Sequence, residues 1–177
     1  MDRRLIATDG LTHSVLEAGE GPLVLLVHGF PELAISWRAQ IDALAAAGYR
    51  AVAPDMRGYG EAMKPQRTED HTILHLVGDM VDLVRALGER SCVVVGHDWG
   101  ASVAWHCVLM RPDMFTAVAG LSVPFQPRRA TAVNRSGRIR AQCQATAEPQ
   151  SWPTTTHDRS PSSRTRSTMS PTRCRMV

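Results

Sequence analysis

Long apolar runs are missing from this 177-residue chain: the longest purely aliphatic stretch is Leu23 to Val27. Five residues are far too few to span a bilayer, so no membrane partner is expected. The first ten residues, MDRRLIATDG, carry basic side chains with no apolar segment behind them, so they are not expected to act as a secretory leader. Cysteine is scarce, at four residues. That number demands no disulfide framework, and Cys92 and Cys107 fall in apolar patterns where a thiol acts as a small hydrophobe. A reducing, cytoplasmic setting is expected.

Tyrosine is absent after Tyr59, and lysine is absent from residues 126 to 177. That last segment also has almost no large aliphatic residues, with Val133, Ile139 and Val177 alone among Leu, Ile, Val and Phe, amid 15 Ser and Thr and 10 Arg. Such a composition buries too little apolar surface to offset its ordering entropy, which predicts a disordered tail. The same bias is what an out-of-frame translation of GC-rich DNA produces, a reading tested by translating the coding DNA in the other two frames. Trp152 is the sole aromatic among the tail arginines. Without aromatic interleaving, a solvated tail is expected rather than a nucleic-acid partner.

What is present lies in residues 1 to 125, where 10 Lys and Arg face 15 Asp and Glu. Strand and helix periods alternate there. Arg4 to Thr8 and Leu11 to Glu17 flank Asp9-Gly10, a pair that favours a tight hairpin by accepting positive φ. Pro22 to Val27, Arg50 to Ala53 and Ser91 to Val95 are continuous apolar runs of strand length, suited to parallel strands buried on both faces. Trp37, Ile41, Leu44 and Ala45 form a helical stripe ending at Gly48, and Ile73, Val77, Met80, Val81, Val84 and Leu87 form another ending at Gly88. A third helix is predicted over Trp99 to Met110, closed by Pro112, and a last strand over Phe115 to Ser122. The fold class is α/β, a mostly parallel sheet covered by helices on both faces. Residues 1–125 form its folded part and 126–177 the tail.

Chemistry concentrates in "GHDWG". A sharp turn between a strand and a helix leaves no room for side chains beside its apex, and Gly96 and Gly100 flank His97, Asp98 and Trp99 accordingly. The helix directs its amino-terminal N–H groups at that apex, favouring an anion. An aspartate there needs no base to become a nucleophile, unlike serine. It can displace a leaving group at an sp3 carbon, and the resulting ester is hydrolysed at its own carbonyl with help from an oxyanion hole. The donors are expected from the N–H groups of Trp99 and Phe30, the latter in "VHGFPE", where His28 and Gly29 shape the turn and Pro31 fixes it. A plain helix cap is the competing role for Asp98.

The segments HGFPE, SWRAQIDALAAAGYRAVAPDMRGYGE, GHDWGASVAW and LSVPF together resemble the epoxide hydrolases of the α/β-hydrolase fold, over about residues 5 to 125. The resemblance implies that Asp98 is the nucleophile, that Phe30 and Trp99 supply the oxyanion hole, and that His28, Gly29, Pro31, Gly96, His97 and Gly100 shape the pocket. It implies no metal and no organic cofactor, and a small-molecule epoxide as substrate. A haloalkane dehalogenase uses the same attack with halide leaving, and Trp99 suits either. The HGFPE and SWRAQ pairing favours the epoxide reading, and the arginine that tends to follow the nucleophile in haloacetate enzymes is absent.

The family also implies a helical cap with two tyrosines, and later strands bearing an acidic partner and a histidine. The cap and last strands are not recognisable, and the tail offers only His157 and Asp158, with no apolar strand before them. A weakly active or inactive chain, down to a non-catalytic remnant, is therefore expected, with Phe115 to Ser122 an apolar edge. His28 and His97 are expected to be scaffold. His71, His75 and Asp79 lie at helical spacing on what reads as a solvent face, so no metal site is expected there. Asp55 is expected to shape the DMRGYG loop. Oligomeric state is not legible.

Overall fold

The structure is a computed structural model, and it describes residues 1–123. The tail, with His157 and Asp158, lies outside the described residues.

Six strands form one sheet in the order β1-β2-β4-β3-β5-β6. Strand β1 (Asp2–Ala7) pairs antiparallel with β2 (Thr12–Ala18), and β2 pairs antiparallel with β4 (Arg50–Asp55). From there the sheet is parallel: β3 (Leu23–Val27) lies between β4 and β5 (Cys92–His97), and β6 (Phe115–Leu121) follows β5. Helix α1 (Arg38–Ala46) connects β3 to β4, α2 (Ile73–Ala86) connects β4 to β5, and α3 (Trp99–Met110) connects β5 to β6.

The apolar pattern explains the layering. All five residues of β3 are buried, as a central strand covered on both sides requires. On one face Val15, Leu25, Val27, Val52 and Val94 pack with Val77, Met80 and Val84 of α2 and Val103, Ala104 and Cys107 of α3. On the other, Leu16, Val24, Leu26, Ala51 and Ala53 pack with Ile41 of α1 and with Ala34 and Trp37. Leu25 and Ile41 are fully buried, each stabilising the fold by roughly 1.5–3 kcal/mol through water exclusion.

Several details differ from the sequence expectation. The Asp9-Gly10 hairpin forms, but neither residue takes a positive φ. The turn is held instead by the Thr8 N–H and hydroxyl, both donating to Leu11 O at 2.9 Å. Strand β5 is buried in alternation, with Val93 and Val95 only half covered on the face that carries Leu26 and Ile41. Trp37 closes a 3-10 turn (Ala34–Trp37) rather than opening α1.

Asp79 is the clearest correction. It is buried, and Arg57 Nε donates to its Oδ2 at 2.6 Å, while His75 is exposed and His71 sits in the exposed turn Thr68–His71. A buried acid with an arginine partner escapes a rule that reads charge as solvent exposure. Strand β6 is an edge among the described residues.

Candidate active site

The carboxyl ends of β3 and β5 lie side by side, since Val27 pairs with Gly96 in parallel register. The chain leaves β5 through Asp98, whose φ of 51° and ψ of −119° are sparsely populated for a residue with a side chain. Such a conformation costs on the order of 1–3 kcal/mol and persists only where the surroundings enforce it. Enforcement comes from the main chain. Asp98 N–H donates to Leu121 O at 3.2 Å, and Ala101 N–H donates to Asp98 O at 3.0 Å as α3 begins.

Glycine is obligatory on both sides of this bend. A Cβ at Gly96 would stand 2.1 Å from Gly100 O, and one at Gly100 would stand 2.1 Å from Val27 O. These are backbone atoms, which cannot move aside. Gly29 is as constrained, because a Cβ there would meet the Asp98 Cβ at 2.5 Å. All three glycines are buried, and the backbone at Gly29 passes in contact with the Asp98 side chain.

The Asp98 side chain makes no capping bond to α3. Its Oδ1 accepts the Phe30 N–H at 3.0 Å. This bond, and after it the Trp99 N–H at looser geometry, holds the carboxyl below the ordinary aspartate value of 3.8, with the nearby His97 acting in the same sense. The two backbone donors named from the sequence therefore converge on one anion. The Phe30 and Trp99 side chains stand mostly in solvent, as an apolar rim to a charged group.

His28 is fully buried beneath the loop, with both ring nitrogens engaged. Nε2 accepts the Met56 N–H at 3.0 Å, so the proton resides on Nδ1, which donates to Gly29 O at 2.8 Å. Burial lowers its pKa further, and the neutral ring pins the β3 loop to the end of β4. The Phe30–Pro31 bond is cis, and Glu32 N–H donates to Gly29 O at 3.0 Å.

Two contacts escaped the sequence reading. His97 Nδ1 lies 3.3 Å from Glu32 Oε2, both half-exposed, tying the β3 loop to the end of β5. These residues are 65 positions apart, and nothing local in the sequence pairs them. Asp55 Oδ1 accepts the Ala34 N–H at 2.8 Å, so Asp55 anchors the start of the 3-10 turn, while Gly60 of its own loop packs so close that a Cβ there would stand 2.3 Å from Oδ2. Among the described residues no group of three or more His, Cys, Asp or Glu is placed to hold a metal ion, and no helix is long and apolar enough to cross a membrane.

Comparison with known proteins fits this geometry. The profile of the family described as alpha/beta hydrolase fold matches residues 22–153. An epoxide hydrolase of Caballeronia sordidicola is 54% identical over 128 residues, covering 72% of this chain and 39% of the relative. Epoxide hydrolase A of Mycobacterium tuberculosis is 49% identical over 139 residues, covering 77% and 43%. Among solved structures, an epoxide hydrolase from Vigna radiata superposes with a TM-score of 0.70 at 51% identity, covering 73% of this chain and 42% of that one. One from an endophytic Streptomyces gives a TM-score of 0.70 at 55% identity, covering 72% and 38%. The chain spans about two fifths of the length of the curated relatives it matches. By its strand order, its glycine-flanked elbow and the family match across residues 22–153, the chain belongs to the α/β-hydrolase fold family.

Proposed function

We propose that the chain carries the nucleophilic half of an epoxide hydrolase site, with Asp98 as nucleophile and Phe30 and Trp99 as oxyanion donors. The observation that carries this reading is the Phe30 N–H bond to Asp98 Oδ1, at 3.0 Å, on a residue held at positive φ. Oδ2 attacks a ring carbon of the epoxide, the carbon–oxygen bond breaks, and an alkyl ester of Asp98 forms while the alkoxide takes up a proton. Water then adds to Cγ. The charge that develops on Oδ1 meets the N–H groups that already face it, so little reorganisation is needed. Collapse of that adduct releases the vicinal diol and restores the carboxylate.

The lowered pKa serves the first step, keeping Asp98 ionised through the neutral range. His28 is spent on the Met56 and Gly29 bonds and acts as scaffold, as do Gly29, Pro31, Gly96 and Gly100. The alkoxide's proton donor and the base for water are not among the partners of Asp98 within the described residues. The buried thiols of Cys92, pushed up to about 12 by burial, and of Cys107, pushed higher still, fit a reducing cytoplasmic setting.

The test is incubation of the full chain with styrene oxide and measurement of diol. Slow diol release that disappears in Asp98→Asn is expected. Equal release from the wild type and from Asp98→Asn would overturn the proposal.

A further inference from the structure

His13 is fully buried in β2, on the same side of the sheet as Val15, two residues along. It faces Ile6 of β1, and it precedes Ser14, the first β2 residue that pairs with β4. His13 thus belongs to the hairpin tip, where the sheet is only two strands wide. Its Nε2 lies 3.3 Å from Thr8 Oγ1, and that hydroxyl spends its single proton on Leu11 O at 2.9 Å. Thr8 must therefore accept from the ring. The imidazole proton sits on Nε2, and Nδ1 is left as a buried lone pair with no partner.

A proton added at Nδ1 would put a cation in that place. The charges acting on the ring are Asp79 and Asp82 of α2, which favour the cation, and Arg57 of the loop after β4, which opposes it. Asp79 is already committed to Arg57, by Nε to Oδ2 at 2.6 Å. Burial is the largest influence, and it lowers the pKa from the ordinary 6.5.

We propose that His13 is an acid-sensitive latch, whose protonation opens the hairpin tip, residues 6–13, while the rest of the sheet stays formed. The latch has a route toward Asp98. Met63 N–H donates to Thr12 O at 3.0 Å, and at the other end of the same loop Met56 N–H donates to His28. Opening the tip frees one end of the segment that steadies the β3 loop. The sign follows from proton uptake: the open tip binds the proton more readily, so closure is complete above pH 6.5 and is lost as pH falls below it. The latch does not depend on the proposed hydrolysis.

Hydrogen exchange of the full chain from pH 8 to pH 5, corrected for intrinsic rates, reads the effect. Protection of residues 6–13 should fall as pH drops below the ordinary imidazole value, by at most about tenfold per pH unit, one proton being taken up per opening. Protection of β5 should hold. The slope should vanish in His13→Gln. An unchanged slope in that variant, or flat protection in the wild type, would overturn the latch. If His13→Gln does not fold, ring nitrogen NMR of the wild type decides. A neutral Nε2–H ring that persists until the tip opens supports the latch, and a ring that titrates near 6.5 with the tip still protected contradicts it.

Discussion

Two aspartates stand at the carboxyl ends of strands flanking β3, and they have opposite fates. Asp55 ends β4 and Asp98 follows β5, and each accepts an N–H from the segment after β3: Ala34 for Asp55 at 2.8 Å, Phe30 for Asp98 at 3.0 Å. Asp55 is 1% exposed and its Oδ2 also meets Arg3 at 3.3 Å. Asp98 is partly exposed, and no lysine or arginine among the described residues pairs with it. The same sheet edge thus makes one carboxylate a structural tie and leaves the other free to react. A counter-ion and burial separate the two roles, since a carboxylate neutralised by arginine and closed off from solvent cannot reach an electrophile.

The contrast can be broken from either side. Gly100→Ala should have the largest effect, because its Cβ would lie 2.1 Å from Val27 O. A loss on the order of 4 kcal/mol or more is expected in urea unfolding, with no recovery by neighbouring side chains. Asp55→Ala should cost about 2 kcal/mol by stranding the Ala34 N–H, yet leave epoxide alkylation at Asp98 intact in the molecules that fold. Asp98→Asn should leave the urea unfolding midpoint nearly unchanged while abolishing alkylation. If Asp55→Ala lost alkylation and Asp98→Asn kept it, the two roles would be exchanged.

Much of this was readable along the chain because the signals were local. The runs at Pro22 to Val27 and Ser91 to Val95, the stripe from Ile73 to Leu87 and the stops at Gly48 and Gly88 each report on a few neighbouring residues. The elbow was legible for the same reason, since a bend too tight for a Cβ must write glycine at positions 96 and 100. What stayed hidden were pairings across the sheet. Arg57 with Asp79, Glu32 with His97 and Asp55 with Ala34 join residues 21 to 65 positions apart. Asp79 shows the consequence, since its helical period marks it as a surface residue and only Arg57, outside that helix, accounts for its burial. His13 belongs with them: its position in β2 follows from alternation, but its unpartnered Nδ1 depends on how Thr8 spends one proton.

The central claim is that Asp98 forms a covalent ester with a strained electrophile. Mass spectrometry of the folded chain after exposure to styrene oxide, followed by peptide mapping, tests it most directly. A single adduct on Asp98, absent from Asp98→Asn and released by hydroxylamine as an ester would be, is the predicted result. Adducts confined to other side chains, with Asp98 unmodified in protein shown to be folded, would contradict it.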